Sequence, residues 1–256
     1  MLKRINYWVL FFVNYKNWWE VLYYRFSGKR TTKVFLRNGL RFFSRKNSPL
    51  SVVVDEIILL KRYTPYGFEI KKGDIVVDIG GHTGVFSLMA RQNGADRVLA
   101  FEPYKENVKM IKKNITVNKL KNIFVRNYAI ADKKSEMKLF LETDDGGNSL
   151  FPNPNGFNKN TFQIVKSIKL ADIFTNEKIK SIDFLKIDCE GAAGLIIRST
   201  PSSIWNKIDK VSMEFHDKVS SMSHFQITKY FKSLGFVTKS VDYGGGHGYV
   251  YAIRNR

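Results

Sequence analysis

Four short stretches carry the residues that can do chemistry. "VVDIGGHTG" (76–84) is an apolar run with Asp78 as its last polar residue, followed by a turn through Gly80, Gly81, His82 and Gly84. "FEP" (101–103) puts Glu102 and Pro103 after a second apolar run. "KIDCEGAA" (186–193) holds Asp188 and Glu190, and "MEFH" (213–216) holds Glu214 and His216. A strand that ends in glycines lets a ligand approach the backbone, and the helix that follows offers it free N–H groups. Asp78 precedes those glycines, where a carboxylate repels a pyrophosphate and suits a ligand with a positive group, such as the amino group of a methionine moiety. Gly80-x-x-x-Gly84 does not fit the dinucleotide pattern G-x-G-x-x-G, and no Lys-Ser/Thr follows as a P-loop requires.

Glu102 lies eighteen residues beyond Gly84, where an acid at a strand end can bond both hydroxyls of a ribose. An acid, a glycine turn and a second acid, in that order on successive strands, point to a nucleoside with a cationic amino-acid tail. S-adenosylmethionine is such a molecule, with S-adenosylhomocysteine as its product. Methyl transfer needs an in-line nucleophile and a place for the acceptor's proton. Asp188 is the first candidate for that role, as base or as the group that orients the acceptor, with Glu190 beside it. Glu214 and His216 come next, since an imidazole titrates near neutrality. Each of these residues would serve equally as a structural hydrogen-bond partner at a strand end. Their carboxylates suit Mg2+ as oxygen ligands, but no spacing requires an ion, and no metal is assigned.

"VVDIGGHTGVFSL", "AFEP", "NYAIAD" and "DFLKIDCEGA" together resemble the FkbM family of class I S-adenosylmethionine-dependent methyltransferases, from about Gly67 to Phe215. The resemblance implies O-methylation of hydroxyls on sugars or natural products. It implies a Rossmann-like α/β fold: a seven-stranded, mostly parallel sheet of order 3-2-1-4-5-7-6 with the last strand antiparallel. It also implies that Asp78, Gly80, Gly81, His82 and Gly84 line the methionine part of the cofactor. Glu102 would hold the ribose with Pro103 shaping that loop, and Asn127 and Ala129 would flank the adenine. His82 stands where the family commonly has Asn, and either residue donates a hydrogen bond. Ala193 stands where the family usually has a second acid, which leaves room for a cofactor-binding scaffold of weak activity.

These residues need elements to place them. Alternation of apolar strands and amphipathic helices from residue 74 onward predicts a βα sheet with helices on both faces. Strands are predicted at 74–79, 97–103, 122–130, 136–142, 162–170, 182–188 and 210–216, and helices at 83–94, 104–118, 192–200 and 224–235. A terminal hairpin is predicted from 236–243 and 248–254. Residues 143–160 form a long Gly/Asn/Pro-rich loop, expected to lie over the acceptor. Residues 1–66 read as an extension to a methyltransferase domain at 67–256. Within the extension, 4–26 is predicted as one helix with Trp8, Phe11, Phe12, Tyr15, Trp19 and Tyr23 in one stripe. A hairpin at 33–43 turns at Asn38-Gly39, and a helix covers 52–63.

Composition narrows the partners. Lys+Arg total 42 against 23 Asp+Glu, a net charge of +19. Residues 1–50 hold eleven Lys/Arg and one acid, Glu20, a net of +10. Such charge favours anionic partners. An aromatic helix with Lys3, Arg4, Lys16, Arg25, Lys29 and Arg30 toward headgroups would lie on an anionic membrane, where a lipid-linked glycan would be a fitting acceptor; packing on the domain or on a second copy is the plainer reading. RNA methylation is the alternative that the charge supports, although there is no D/N-P-P-Y/F/W motif. "YWVLFFV" (7–13) is too short to span a bilayer and no small-residue cleavage site follows it. One cysteine, Cys189, excludes an intramolecular disulfide and fits a cytoplasmic setting, peripheral to the membrane if the helix docks there. Cys189 itself reads as a small buried residue.

Overall fold

The computed structural model describes residues 2–142, 148–150 and 161–254, with side chains from residue 6 onward. Lys3 and Arg4, and most of the predicted 143–160 loop, therefore lie outside the described side chains or residues. The N-terminal segment is two helices, α1 (Leu2–Asn14) and α2 (Trp18–Phe26), where the sequence predicts one. The break has a local cause. Tyr15 bridges Leu36, the Lys16 N–H donates to Phe35 O at 2.7 Å, and the Asn17 side-chain oxygen accepts the Phe35 N–H at 2.8 Å. These bonds draw the chain onto the hairpin of β1 (Lys33–Phe35) and β2 (Arg41–Phe43).

The break also splits the predicted aromatic stripe. Phe11 and Tyr15 are wholly buried, whereas Trp8, Phe12, Trp19 and Tyr23 are exposed. The next helix, α3 (Leu50–Val54), continues as a π-helical turn over Asp55–Leu59 and ends short of the predicted 63. Asp55 accepts from Tyr7 Oη (2.7 Å), Tyr15 Oη (2.7 Å) and Arg25 Nη2 (2.6 Å), which ties α1 and α2 to this turn.

The main sheet follows the predicted alternation. In chain order the elements are β3 (Ile75–Ile79), α4 (Val85–Gln92), β4 (Arg97–Phe101), α5 (Lys105–Val117), β5 (Ile123–Arg126), β6 (Ala129–Ile130), β7 (Ser135–Phe140), β8 (Phe162–Ile168), α6 (Leu170–Asn176), β9 (Ile182–Ile187), α7 (Ala193–Ser199), α8 (Ser202–Trp205), β10 (Ile208–His216), α9 (His224–Ser233), β11 (Phe236–Asp242) and β12 (His247–Arg254). Seven strands pair in the order β5-β4-β3-β9-β10-β12-β11, with β12 antiparallel to both neighbours. The predicted strand at 122–130 is two strands. Asn127 donates its side-chain amide to the carbonyls of Glu102 and Pro103 (2.9 and 2.7 Å), and the chain leaves the main sheet to pair β6 with β8 in a second, three-stranded sheet. Helix α6, which the sequence reading missed, begins where Asp172 accepts the Lys169 N–H.

Successive strand residues face opposite sides, and both sides are apolar. Val77, Ile79, Leu99 and Leu185 pack with Ile173, Ile196 and Ile227 of α6, α7 and α9. Val76, Val98 and Phe184 pack with Phe86 of α4 and with Phe11, Tyr15, Val34 and Leu50 of the N-terminal layer. The N-terminal layer thus shares a core with the sheet. Among the described residues no helix is long and apolar enough to cross a membrane.

Candidate active site

The carboxyl ends of β3, β4, β9 and β10 meet the N-terminal layer around a cavity of about 520 Å³. The glycine turn after β3 forms its floor. Gly80 has φ +79°, and a Cβ there would stand 1.7 Å from the Asp188 carbonyl oxygen, so only glycine permits this approach of two backbones. The Gly80 and Gly81 N–H groups donate to Phe101 O (2.9 and 3.1 Å), and the Asp188 N–H donates to Ile79 O (3.0 Å). The turn is stapled to both neighbouring strand ends.

Asp78 lies beneath this floor and is absent from the cavity lining, contrary to its expected place at the cofactor's cationic tail. It is wholly buried, accepting from Ser87 Oγ (2.6 Å) and Lys186 Nζ (3.0 Å). Lys186 also donates to Gly80 O at 2.9 Å and lies 3.4 Å from Asp188 Oδ2. Burial opposes the charge on Lys186, but Asp78 and Asp188 outweigh it and hold its pKa above the usual lysine value. The rings of Tyr63 and Phe86, 5.1 and 5.7 Å away, flank the ammonium. Sequence reasoning missed Lys186. The signal was present: an isolated lysine in an apolar strand run needs a buried counter-charge, and Asp78 is its register partner on β3.

Glu102 lies in the cavity wall, nearly buried. Its oxygens accept the backbone N–H groups of His82 (2.7 Å) and Tyr104 (2.9 Å), leaving lone pairs for further donors. Burial pushes its pKa up to about 7, against the lowering effect of those bonds. Asn107, also in the wall, has a buried side-chain oxygen without a partner. Gly80, Gly81, His82, Pro103 and Ala129 line the cavity as expected, with Phe101, Tyr128 and Ile130 as an apolar patch. Gly84 and Asn127 do not line it. Gly84 starts α4 at φ +87°, where a Cβ would crowd Ile111 and Leu88, and Asn127 braces the Glu102–Pro103 loop from behind.

Asp188, Glu190 and Glu214 also line the cavity. Burial raises the pKa of Asp188; Lys186 counters this and Glu214 adds to it. Tyr63 Oη donates to Glu214 at 2.6 Å. His216 is outside the lining but lies 3.6 Å from Glu214 and 3.7 Å from Glu190. Burial pushes the Cys189 thiol up, away from the thiolate form. Ala193 is buried in the apolar cluster with Ile196 and Ile197 and is not in the cavity wall.

A nucleoside with an amino-acid tail fits these groups. The cavity is large enough, Glu102 offers paired acceptors and Asn107 an unsatisfied one. S-adenosylmethionine would thus be held by Glu102 at its ribose and by the Gly80–His82 turn at its tail.

The model of the methyltransferase FkbM domain matches residues 78–238. Methyltransferase 1 of Beauveria bassiana (strain ARSEF 2860) is 24% identical over 205 residues, 72% of this chain and 82% of that protein. The 31-O-demethyl-FK506 methyltransferase FkbM of Streptomyces tacrolimicus is 22% identical over 190 residues, 63% of this chain and 73% of its own. The crystal structure of methyltransferase FkbM from Methylobacillus flagellatus KT superposes with a TM-score of 0.50 at 15% identity. That match covers 75% of this chain but 46% of the other, so the chain spans less than half of that protein, and what they share is the fold.

The Asp78–Lys186 pair gives a stability prediction. Lys186→Met leaves a buried carboxylate without its cation and should cost about 3 kcal/mol in urea denaturation. Adding Asp78→Asn should recover much of that loss. Equal losses in the single and double variants would contradict the pairing.

Proposed function

The chain belongs to the FkbM family of S-adenosylmethionine-dependent methyltransferases, and we propose that its acceptor is a hydroxyl oxygen on a glycan, a lipid-linked sugar or a small natural product. The observation that carries this reading is Asp188: a carboxylate in the cavity wall whose pKa is raised by burial. When bound, S-adenosylmethionine supplies an electrophilic methyl group on a sulfonium. An alcohol oxygen must lose its proton as it becomes an ether, and a carboxylate with a raised pKa is the stronger base for that proton. Lys186, 3.4 Å away, orients Asp188. Glu190 and Glu214 would accept hydrogen bonds from other hydroxyls of the acceptor. The name of the Streptomyces tacrolimicus relative also describes transfer to an oxygen. RNA enters as the competing acceptor through the +19 charge alone.

The exposed side of α1 and α2 favours a membrane setting for that acceptor. Trp8, Phe12, Trp18, Trp19, Tyr23 and Phe26 are all solvent-exposed, a large apolar patch for a water-facing surface. Beside it, Lys29, Arg30 and Lys46 line a recess of about 660 Å³. Aromatics next to a basic recess suit an anionic bilayer surface. Arg25, expected to face headgroups, instead belongs to Asp55 at 2.6 Å. Phe11, Tyr15 and Val21 are in the core, so removing residues 1–30 would unmake the fold, and substitution is the right test.

Three outcomes follow from this reading. With labelled S-adenosylmethionine and extracts separated into glycan, lipid, RNA and protein, label enters the glycan or lipid fraction. Asp188→Asn then slows transfer about 100-fold while S-adenosylhomocysteine still binds; label in RNA alone would overturn the acceptor class. Ribose hydroxyls donate to the ionised form of Glu102, whose pKa is about 7, so S-adenosylhomocysteine affinity rises about tenfold between roughly pH 6 and 8. Glu102→Gln weakens and flattens that profile in calorimetry, and a flat wild-type profile would argue against the ribose clamp. Finally, the full chain floats with phosphatidylserine vesicles at low salt and Trp19→Glu/Phe26→Glu stays behind. Equal flotation of both would dismiss the membrane face, and self-association that the same substitutions abolish would assign the patch to a second copy.

A further inference from the structure

At the acceptor end, the antiparallel pairing of β10 and β12 sets His216 directly opposite His247. Glu214 is two residues before His216 and therefore on the same face of its strand. The two imidazole rings lie 5.1 Å apart, and His216 Nε2 is 3.6 Å from Glu214 Oε1. His247 Nε2 is hydrogen-bonded to that same oxygen. One donor atom from each residue falls within 4.8 Å of the other two. Ligand atoms around an ion with bonds of about 2.0–2.1 Å stand roughly 3.0–3.4 Å from one another. Small side-chain rotations would close this set around an ion.

We propose that Glu214, His216 and His247 bind a divalent transition-metal ion at the rim of the cavity. Two imidazoles and one carboxylate select Zn2+, Mn2+, Fe2+ or Co2+ over Mg2+ and Ca2+, which prefer all-oxygen shells. Tyr63 Oη holds the other Glu214 oxygen at 2.6 Å, the kind of outer hydrogen bond that fixes a metal-ligating carboxylate. Charge points the same way. The cavity of this strongly basic chain is lined by Glu56, Glu102, Glu142, Asp188, Glu190 and Glu214 but, among the described residues, by a single Lys or Arg, Lys186. Lys186 is already committed to Asp78. A divalent ion would offset the carboxylates gathered around Glu214.

Three protein ligands leave coordination positions open, and Glu214 belongs to the cavity wall. An oxygen of the acceptor would fill one of those positions; this last point rests on the hydroxyl reading, whereas the ion site does not. The sequence concealed the site because His247 lies thirty-one residues beyond His216, just after a glycine-rich turn, and only the β10–β12 register unites them.

Equilibrium dialysis of the metal-stripped full chain against Zn2+, Mn2+ or Mg2+ separately tests the site without any turnover. About one equivalent of Zn2+ or Mn2+ should bind in the micromolar range, with Mg2+ weaker by about tenfold or more. His216→Gln and His247→Gln should each weaken binding by about tenfold or more, with thermal unfolding midpoints unchanged. Both histidines are partly exposed, so these variants should fold. Failure of all three ions to bind below millimolar concentration, or binding indifferent to His247→Gln, overturns the proposal. Binding that occurs while no hydroxyl acceptor is ever methylated refutes the acceptor class and leaves the ion site standing.

Discussion

Asp78 and Lys186 lie opposite one another on adjacent parallel strands at the centre of the sheet, and neither has water with which to share its charge. Isolated, either charge would cost several kcal/mol in this environment. Together, and joined to Ser87 Oγ and Gly80 O, they are satisfied. The consequence extends beyond stability. Lys186 grips the carbonyl of the first turn glycine and sits against Asp188, so one ammonium sets the relative position of the glycine turn and of the Asp188 carboxylate. The two parts of the site cannot shift independently while that contact holds.

This revises how the glycine turn is understood. An acid before the glycines looks, in sequence, like a counter-charge for a cationic ligand. Its side chain in fact points below the floor, and its charge is spent on Lys186. What the turn presents to the cavity is backbone, held in place by the close approach of Gly80 to Asp188 where no Cβ would fit. We therefore assign the specific recognition to Glu102, whose two oxygens are already aimed by the His82 and Tyr104 N–H groups.

Much of the fold was legible because both strand faces are buried and the βα rhythm is regular. The terminal hairpin follows from apolar runs and turn residues, whereas the seven-stranded order and its antiparallel last strand were expected from the resemblance to the FkbM family. Glu102, Asp188 and Glu190 line the cavity because they follow strands whose carboxyl ends face it. What escaped was tertiary in origin. The break at Tyr15–Asn17 depends on a hairpin twenty residues on, and the split of the third strand depends on Asn127 reaching back to Glu102 and Pro103. Gly84 reads like a ligand-binding glycine, but its φ and its contact with Ile111 belong to packing. The grouping of His247 with Glu214 and His216 exists only through strand register. Ala193, an oddity in sequence, proved to be a core position.

We place the donor on the Gly80–His82 turn with its ribose on Glu102, while Asp78 stays below with Lys186. A crystal structure of the full chain with S-adenosylhomocysteine measures this directly. Ribose hydroxyls within hydrogen-bond distance of Glu102 and an intact Asp78–Lys186 contact are expected. A ligand whose amino group is held by Asp78, with Lys186 displaced, or one bound away from Glu102, would contradict it.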